Sequence, residues 1–357
     1  MDRYTRELFA ALTKLPESPW VITLEHPIQR RYVSRLFDHH QAWRIDSAWC
    51  RYITYPRSVR HRRAGVFHVL DHGYAQLMRS LDPERTVVTC HDLIPLLAAE
   101  GAIPIQMPAT VARTFRWRIA HMAKARAVIV DSRATKAVVE RYTSLRPERI
   151  VVVPLGVSPA FRFITNAKSI TRASAGLSDA PGVILQVATK GRYKNTKVLL
   201  HAFAQVRSHL SAEVILVRIG APFYADEAEL ASKLGVLDSI RYVGMVDDRT
   251  LVEWYNAADV LVFPSSWEGF GWPPLEAMAC GTPVVASNIP AIAEVVGDAG
   301  LLVPADDPAA VAHATAQVLT DTALAGSLRQ KGLERARQFT WVRAAMRTVA
   351  VYDEVLQ

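Results

Sequence analysis

Six short strand candidates, most of them apolar, punctuate the second half of the chain, at Val183–Val187, Val214–Ile219, Arg241–Val243, Val260–Phe263, Val284–Ala286 and Leu301–Val303. Amphipathic stretches lie between them, over Thr196–Ser208, Asp226–Leu234, Thr250–Ala257 and Ala291–Val296. Apolar strands of this kind need cover on both faces, and alternating helices supply it while bringing the chain back for a parallel neighbour. The pattern reads as a parallel sheet with helices on both faces. Asp247 or Asp248 suits the N-cap of the helix near Thr250.

The first half alternates less cleanly. Strands are expected at Trp20–Leu24, Val66–Leu70, Thr86–Cys90, Ala127–Val130 and Arg149–Val153, and helices at Arg3–Leu15, Pro108–Ala125 and Arg133–Tyr142. Pro159–Pro181 has no clear periodicity and reads as a connection. The expected division is therefore 1–158 for a first α/β domain, 159–181 for a linker, 182–338 for a second, and 339–357 for a final helix. That helix, Trp341–Leu356, has apolar spacing at Val342, Ala345, Val349 and Tyr352.

One connection in the second half is chemically unusual. After Asp259–Phe263 the chain runs Pro264-Ser-Ser-Trp-Glu-Gly-Phe-Gly-Trp-Pro-Pro-Leu-Glu-Ala-Met-Ala-Cys-Gly-Thr-Pro283. Pro274 suits the first turn of a helix, Gly281 suits its C′ position, and Pro283 cannot continue it. Glu268 is thus expected over the carboxyl end of a strand and Glu276 in the first turns of the next helix, where open α/β sheets bind ligands. Glycines let the backbone approach a ligand closely, and amides at a helix start attract anions. A carboxylate accepts from two neighbouring hydroxyls. Together these point to a phosphorylated sugar; acids that merely favour the helix dipole are the plainer reading of Glu268 taken alone.

The segment closely resembles the donor-sugar loop of the family-four glycosyltransferases, retaining enzymes with the GT-B fold. Glu268 and Glu276 stand at the family's spacing, with seven residues between them, and the likeness continues through Ala258-Asp259 and Pro290–Val303. It is strong over roughly residues 183–305 and weaker across the first half. The resemblance implies two doubly wound, Rossmann-like domains facing a central cleft, with the C-terminal helix crossing back to the first. It implies that Glu268 holds donor-sugar hydroxyls, that the amides of Gly269, Phe270 and Gly271 complete the cradle, and that Glu276 holds the ribose. Gly244 and Met245, at the end of another strand, would meet the nucleotide base through their backbone.

The family carries a glycine and an Arg-Lys pair in the loop after its first C-terminal strand. Here Ala188 takes the glycine's place and Tyr193 the arginine's, while Lys194 matches. Lys194 is expected to clamp the diphosphate, where leaving-group departure concentrates charge; Arg192 or Lys190 would have to supply the second cation. His91-Asp92 follows Thr86–Cys90 as in the family, which gives His91 a part in orienting the donor and stabilising the leaving phosphate. Ser132 reads as a helix cap, with Asp131-Ser132 beside the cleft. The chain opens in what resembles the family's first helix, without the strand and glycine-rich turn that usually precede it; the expectation is a native start upstream of Met1.

A net charge of +8 over 357 residues favours an anionic partner. No zinc-finger spacing, RNA-recognition signature or helix-turn-helix pattern supports nucleic acid. Cys50, Cys90 and Cys280 are few and scattered, which favours a reduced compartment, with Cys280 packed as a small hydrophobe. Asp38-His39-His40 and Asp306-Asp307 lack a third ligand at diagnostic spacing, so no metal is expected. Basic and aromatic residues interleave over Arg113–His121, and Arg57–Arg63 adds four arginines; an anionic membrane surface and a solvated helix with Phe115 and Ile119 inward are both open.

The expected activity is transfer of a hexose from a GDP- or UDP-sugar, the co-substrate, to a saccharide or lipid-linked saccharide, without metal or other cofactor. The expected setting is surface polysaccharide synthesis in the cytoplasm, peripheral to the inner face of the plasma membrane. Two alternatives are a sugar-nucleotide epimerase of the same fold and a non-enzymatic nucleotide- or nucleic-acid-binding protein.

Overall fold

The chain falls into two units in a computed structural model: residues 1–155 with 341–357, and residues 156–340. The structure describes all residues except 1–2, 17, 29–33, 35–39, 104, 179 and 211–212; Asp38 and His39, considered above for a metal, lie outside the described residues.

The first unit holds four parallel strands in sequence order: β1 (Phe67–Val69), β2 (Thr86–Cys90), β3 (Ala127–Val130) and β4 (Ile150–Val152). Every residue of β2 and β3 is buried. The helix Ala109–Met122 turns Ala112, Phe115, Ile119 and Met122 inward, the spacing of one helical face. Ser132 Oγ accepts from the Thr135 amide at 3.0 Å and caps Arg133–Tyr142. The C-terminal helix, Trp341–Leu356, belongs to this unit and packs on Arg3–Leu12, with the rings of Trp341 and Tyr4 5.9 Å apart.

Three expectations for local structure need correction. Residues 20–24 form no strand: Val21 is 93 % exposed, and Trp20 is held by its side chain, donating to Asp353 Oδ1 at 3.0 Å and packing on the Tyr352 ring. On the last helix Val342 is exposed, because Trp341 heads the inward face and is followed by Ala344, Ala345, Thr348, Val351, Tyr352 and Val355. Residues 159–181 contain a helix, Ala167–Ser174, whose buried residues are Ala167, Thr171 and Arg172. Such a face carries no apolar period for sequence reading to detect. Arg172 donates to the Ala257 carbonyl at 2.9 Å and to Asp259 Oδ2 at 2.5 Å, and Asp259 Oδ2 also accepts from the Val183 amide at 2.7 Å.

The second unit is a six-stranded parallel sheet of β5 (Gly182–Ala188), β6 (Val214–Gly220), β7 (Ile240–Gly244), β8 (Val260–Phe263), β9 (Val284–Ser287) and β10 (Leu301–Val303). The spatial order is β10-β9-β8-β5-β6-β7. The chain starts in the middle, builds outward through β6 and β7, then returns beside β5 and builds the other way. The reversal falls between β5 and β8, and a doubly wound sheet opens a ligand crevice at the carboxyl ends of two such strands. On one face, Ile184, Leu216, Val260, Val262 and Val285 pack against Leu199, Phe203, Val311 and Ala314.

Candidate functional site

The strands that flank the reversal each send a charged residue into the loops above them. From β5 the chain passes through Gly191 and a single short turn, Arg192–Lys194, to Asn195, which adopts a left-handed conformation at φ +56°. From β8 it passes through Pro264 to Glu268. Lys194 Nζ lies 2.6 Å from Glu268 Oε1, with the two side chains only 10 % and 12 % exposed. The loops are also tied through backbone: Ser266 donates to the Tyr193 carbonyl from its amide at 2.7 Å and from its hydroxyl at 3.2 Å.

Backbone geometry explains the glycines of the second loop. Gly271 is the N-cap of Trp272–Ala279 and sits at φ +127°, and a Cβ there would come within 2.7 Å of Ile292 Cδ1. Both demands select glycine. Pro273 and Pro274 occupy the first turn, Gly281 closes the helix at φ +75°, and Cys280 is buried, which pushes its thiol pKa up. Phe270 packs edge-to-face with Phe339, ring centroids 6.0 Å apart, so its buried side chain serves packing. Glu276 is 3 % exposed, with the Tyr255 hydroxyl donating to Oε2 at 2.9 Å. Gly244 ends β7 at φ +87° next to a register shift, and Met245 beyond it is 77 % exposed.

The basic loop divides its cations between two places. Lys194 is at the carboxylate. Arg192 instead pairs with Asp226 at 2.8 Å and stacks on Tyr224 at 3.9 Å, Lys190 lies 5.2 Å from the same ring, and Lys197 reaches Asp226 at 2.8 Å. Hydrogen bonds from Lys197 and Arg192 draw the Asp226 carboxyl down to about 2. Tyr193, at the position of the family's arginine, lays its ring over Gly191, where an added Cβ would be 2.5 Å away, and 5.0 Å from Lys194 Nζ. The sequence reading did not find Asp226 and Tyr224 as partners, because a capped amphipathic helix gives no sign of what its first turn faces.

In the first unit His91 follows β2. Its Nδ1 is 2.8 Å from Asp131 Oδ2, and its Nε2 is 3.1 Å from the Leu70 carbonyl. Burial acts to remove its proton, but the Asp131 charge and hydrogen bond, with Asp71 adding, win and raise its pKa to about 9. His68, on β1, behaves oppositely: burial, then the His91 charge, lower it to about 3, and it bonds neutrally to Tyr352 and Thr89 hydroxyls at 2.7 Å each. Elsewhere Asp307 caps Pro308–Thr320 and Asp247 caps Asp248–Ala257. On Ala109–Met122, Phe115 and Ile119 point inward, while Arg116 pairs with Glu100 at 2.8 Å.

Comparison with known proteins places both units. Residues 1–161 match the family model "Glycosyltransferase Family 4", and residues 167–338 match "Glycosyl transferases group 1". A serotype-specific mannosyltransferase of Escherichia coli is 28 % identical over 280 residues, 77 % of this chain and 34 % of the relative. A D-inositol 3-phosphate glycosyltransferase of Catenulispora acidiphila is 34 % identical over 222 residues, 59 % of this chain and 52 % of the relative. The chain thus spans between a third and about half the length of these curated relatives. Among solved structures, a sucrose-phosphate synthase from Thermosynechococcus elongatus superposes with a TM-score of 0.74 at 24 % identity, covering 99 % of this chain and 92 % of that one.

Proposed function

The chain belongs to the group 1 glycosyltransferases, and on that premise we propose that it moves a hexose from a nucleotide-diphosphate sugar to a hydroxyl of a saccharide or lipid-linked saccharide, with retention of configuration. The observation that carries this reading is the Lys194–Glu268 contact at the sheet's point of reversal. Glu268 accepts hydrogen bonds from sugar hydroxyls, and Lys194 meets the phosphate. When the bond from the anomeric carbon to the diphosphate oxygen breaks, the electron pair leaves with the diphosphate, and a preorganised ammonium stabilises it. In the free protein the two groups neutralise each other, so neither is buried as an uncompensated charge.

The amides of Gly269, Phe270 and Gly271 complete the sugar cradle, Glu276 takes the ribose with Tyr255 fixing its carboxylate, and Gly244 and Met245 meet the base. His91 keeps the part in holding the donor phosphate that the family resemblance gives it. Lys194 serves as the cation at the diphosphate, so this reading calls for no divalent ion and expects a rate unchanged by EDTA. The mannosyltransferase relative supports a hexose and a surface polysaccharide. Among the described residues no helix is long and apolar enough to cross a membrane; a cytoplasmic protein lying against the anionic inner face of the plasma membrane fits the +8 charge.

The test is a thermal-shift screen of UDP-, GDP- and ADP-hexoses, followed by a transfer assay with the donor that stabilises most. Product with the anomeric configuration of the donor is expected. Binding without transfer to any saccharide or lipid-linked saccharide, or an epimerised nucleotide sugar made without acceptor, would overturn the proposal.

A further inference from the structure

A buried carboxylate in the first unit plays no part in the function described so far. Asp131, directly after β3, is 2 % exposed; its Oδ2 meets His91 Nδ1, and its Oδ1 has no hydrogen-bond partner among the described residues. The other ring nitrogen of His91 faces the Leu70 carbonyl. A carbonyl and an ionised carboxylate only accept, so both contacts are made only by a ring protonated on both nitrogens.

The groups around the ring agree with this. From β1 and the turn after it come His68, Asp71 and His72; directly after β3 comes Asp131; Tyr4, on Arg3–Leu12, sets its ring edge-on at 4.5 Å; and Asp92, beyond β2, adds its charge beside His72. Three of these are carboxylates. The two neighbouring histidines are both driven toward the neutral form by burial, so His91 is the favoured holder of positive charge in the group.

We propose that Asp131 is a positioning residue for His91: it fixes the imidazole in one orientation and keeps it a standing cation through neutral pH, so that His91 offers the donor's anionic group a constant charge instead of shuttling a proton. The part of this that concerns donor handling rests on the role given to His91 above. Its consequence is a transfer rate free of any histidine titration between pH 6 and 8.

The test uses the full chain and the variants Asp131→Asn, Asp131→Glu and His91→Ala, each first checked by thermal melting. NMR titration of the labelled His91 ring is expected to show a proton held to about pH 9 in the wild type. Asp131→Asn is expected to lower that by two units or more, and Asp131→Glu by less than one. In transfer assays Asp131→Asn should lose about tenfold in kcat/KM for the donor at pH 8 and recover most of it at pH 5.5, where the ring charges again; a purely structural defect would not recover. A wild-type His91 that titrates below pH 7, or a titration unmoved by Asp131→Asn, would overturn the proposal. So would wild-type transfer by His91→Ala, which leaves the transferase reading standing on Lys194 and Glu268.

Discussion

Lys194 Nζ and Glu268 Oε1 are 2.6 Å apart although 74 residues separate them, and they come from the loops above β5 and β8, the neighbouring strands between which the sheet reverses direction. A doubly wound sheet brings this one pair of loops together at a ligand crevice, whatever the sequence distance between them. A cation and a carboxylate there match a phosphate and a sugar hydroxyl on one donor.

Removing either partner leaves the other charge largely buried. Lys194→Met and Glu268→Gln should each cost about 2 kcal/mol of stability, while the double variant should cost less than the sum. All three should lose transfer by about a hundredfold or more. Chemical denaturation and initial-rate assays check the two effects separately.

Arg192 is committed to Asp226 and Tyr224. Arg192→Ala should therefore weaken donor binding by less than about tenfold, against roughly a hundredfold or more for Lys194→Ala. Titration calorimetry with the donor ranks them; equal losses would show that Arg192 leaves Asp226 to join the diphosphate.

Much of this unit could be read before its structure was known. The apolar run at 260–263 coincides with β8, because a strand buried on both faces carries its signal in composition alone, and the run at 301–303 coincides with β10, the half-buried edge strand. Gly281 and Pro274 marked the helix ends through their own backbone limits. The first unit was harder. Trp20–Leu24 is apolar, yet Val21 is exposed and Trp20 is held by side-chain contacts with the last helix, made across more than 300 residues of sequence. In the second unit the helix Ala167–Ser174 hides because its buried face is largely polar, with Arg172 serving Asp259. In the site, Glu268, Glu276 and Lys194 were visible from spacing. Tyr255, which donates to Glu276, and Asp226, which draws Arg192 and Lys197 away from Lys194, were not, because these contacts are made only through the fold.

Gly271→Ala should destabilise the protein by about 2 kcal/mol, since φ +127° is strained for any side chain and the new methyl group meets Ile292. Gly326, in the middle of the helix Thr322–Ala336 with open space at its Cβ, is the control: its alanine variant should gain a few tenths of a kcal/mol to about 1 kcal/mol. Thermal melts of both variants check this.

The two paired histidines of the first unit set opposite limits on pH. His91 is raised to about 9 from 6.5, so between those values the native state holds a proton that the unfolded chain has lost. Its stabilisation, about 3 kcal/mol, is full below pH 6.5 and disappears as pH rises through 9. His68 is lowered to about 3, so the unfolded chain takes up a proton below pH 6.5 that the native state refuses. Stability is lost there as pH falls toward 3. Unfolding free energy measured from pH 5 to 9 should peak near 6.5, and His91→Gln should flatten its alkaline side.

The most direct measurement is calorimetric titration of the wild type and Glu268→Ala with two ligands: the sugar nucleotide found in the thermal-shift screen and the corresponding nucleoside diphosphate. If Glu268 grips the sugar, the variant should bind the sugar nucleotide about a hundredfold more weakly while holding the nucleoside diphosphate within about threefold of the wild type. Equal affinity of both proteins for the sugar nucleotide would contradict the assignment of this loop to the donor.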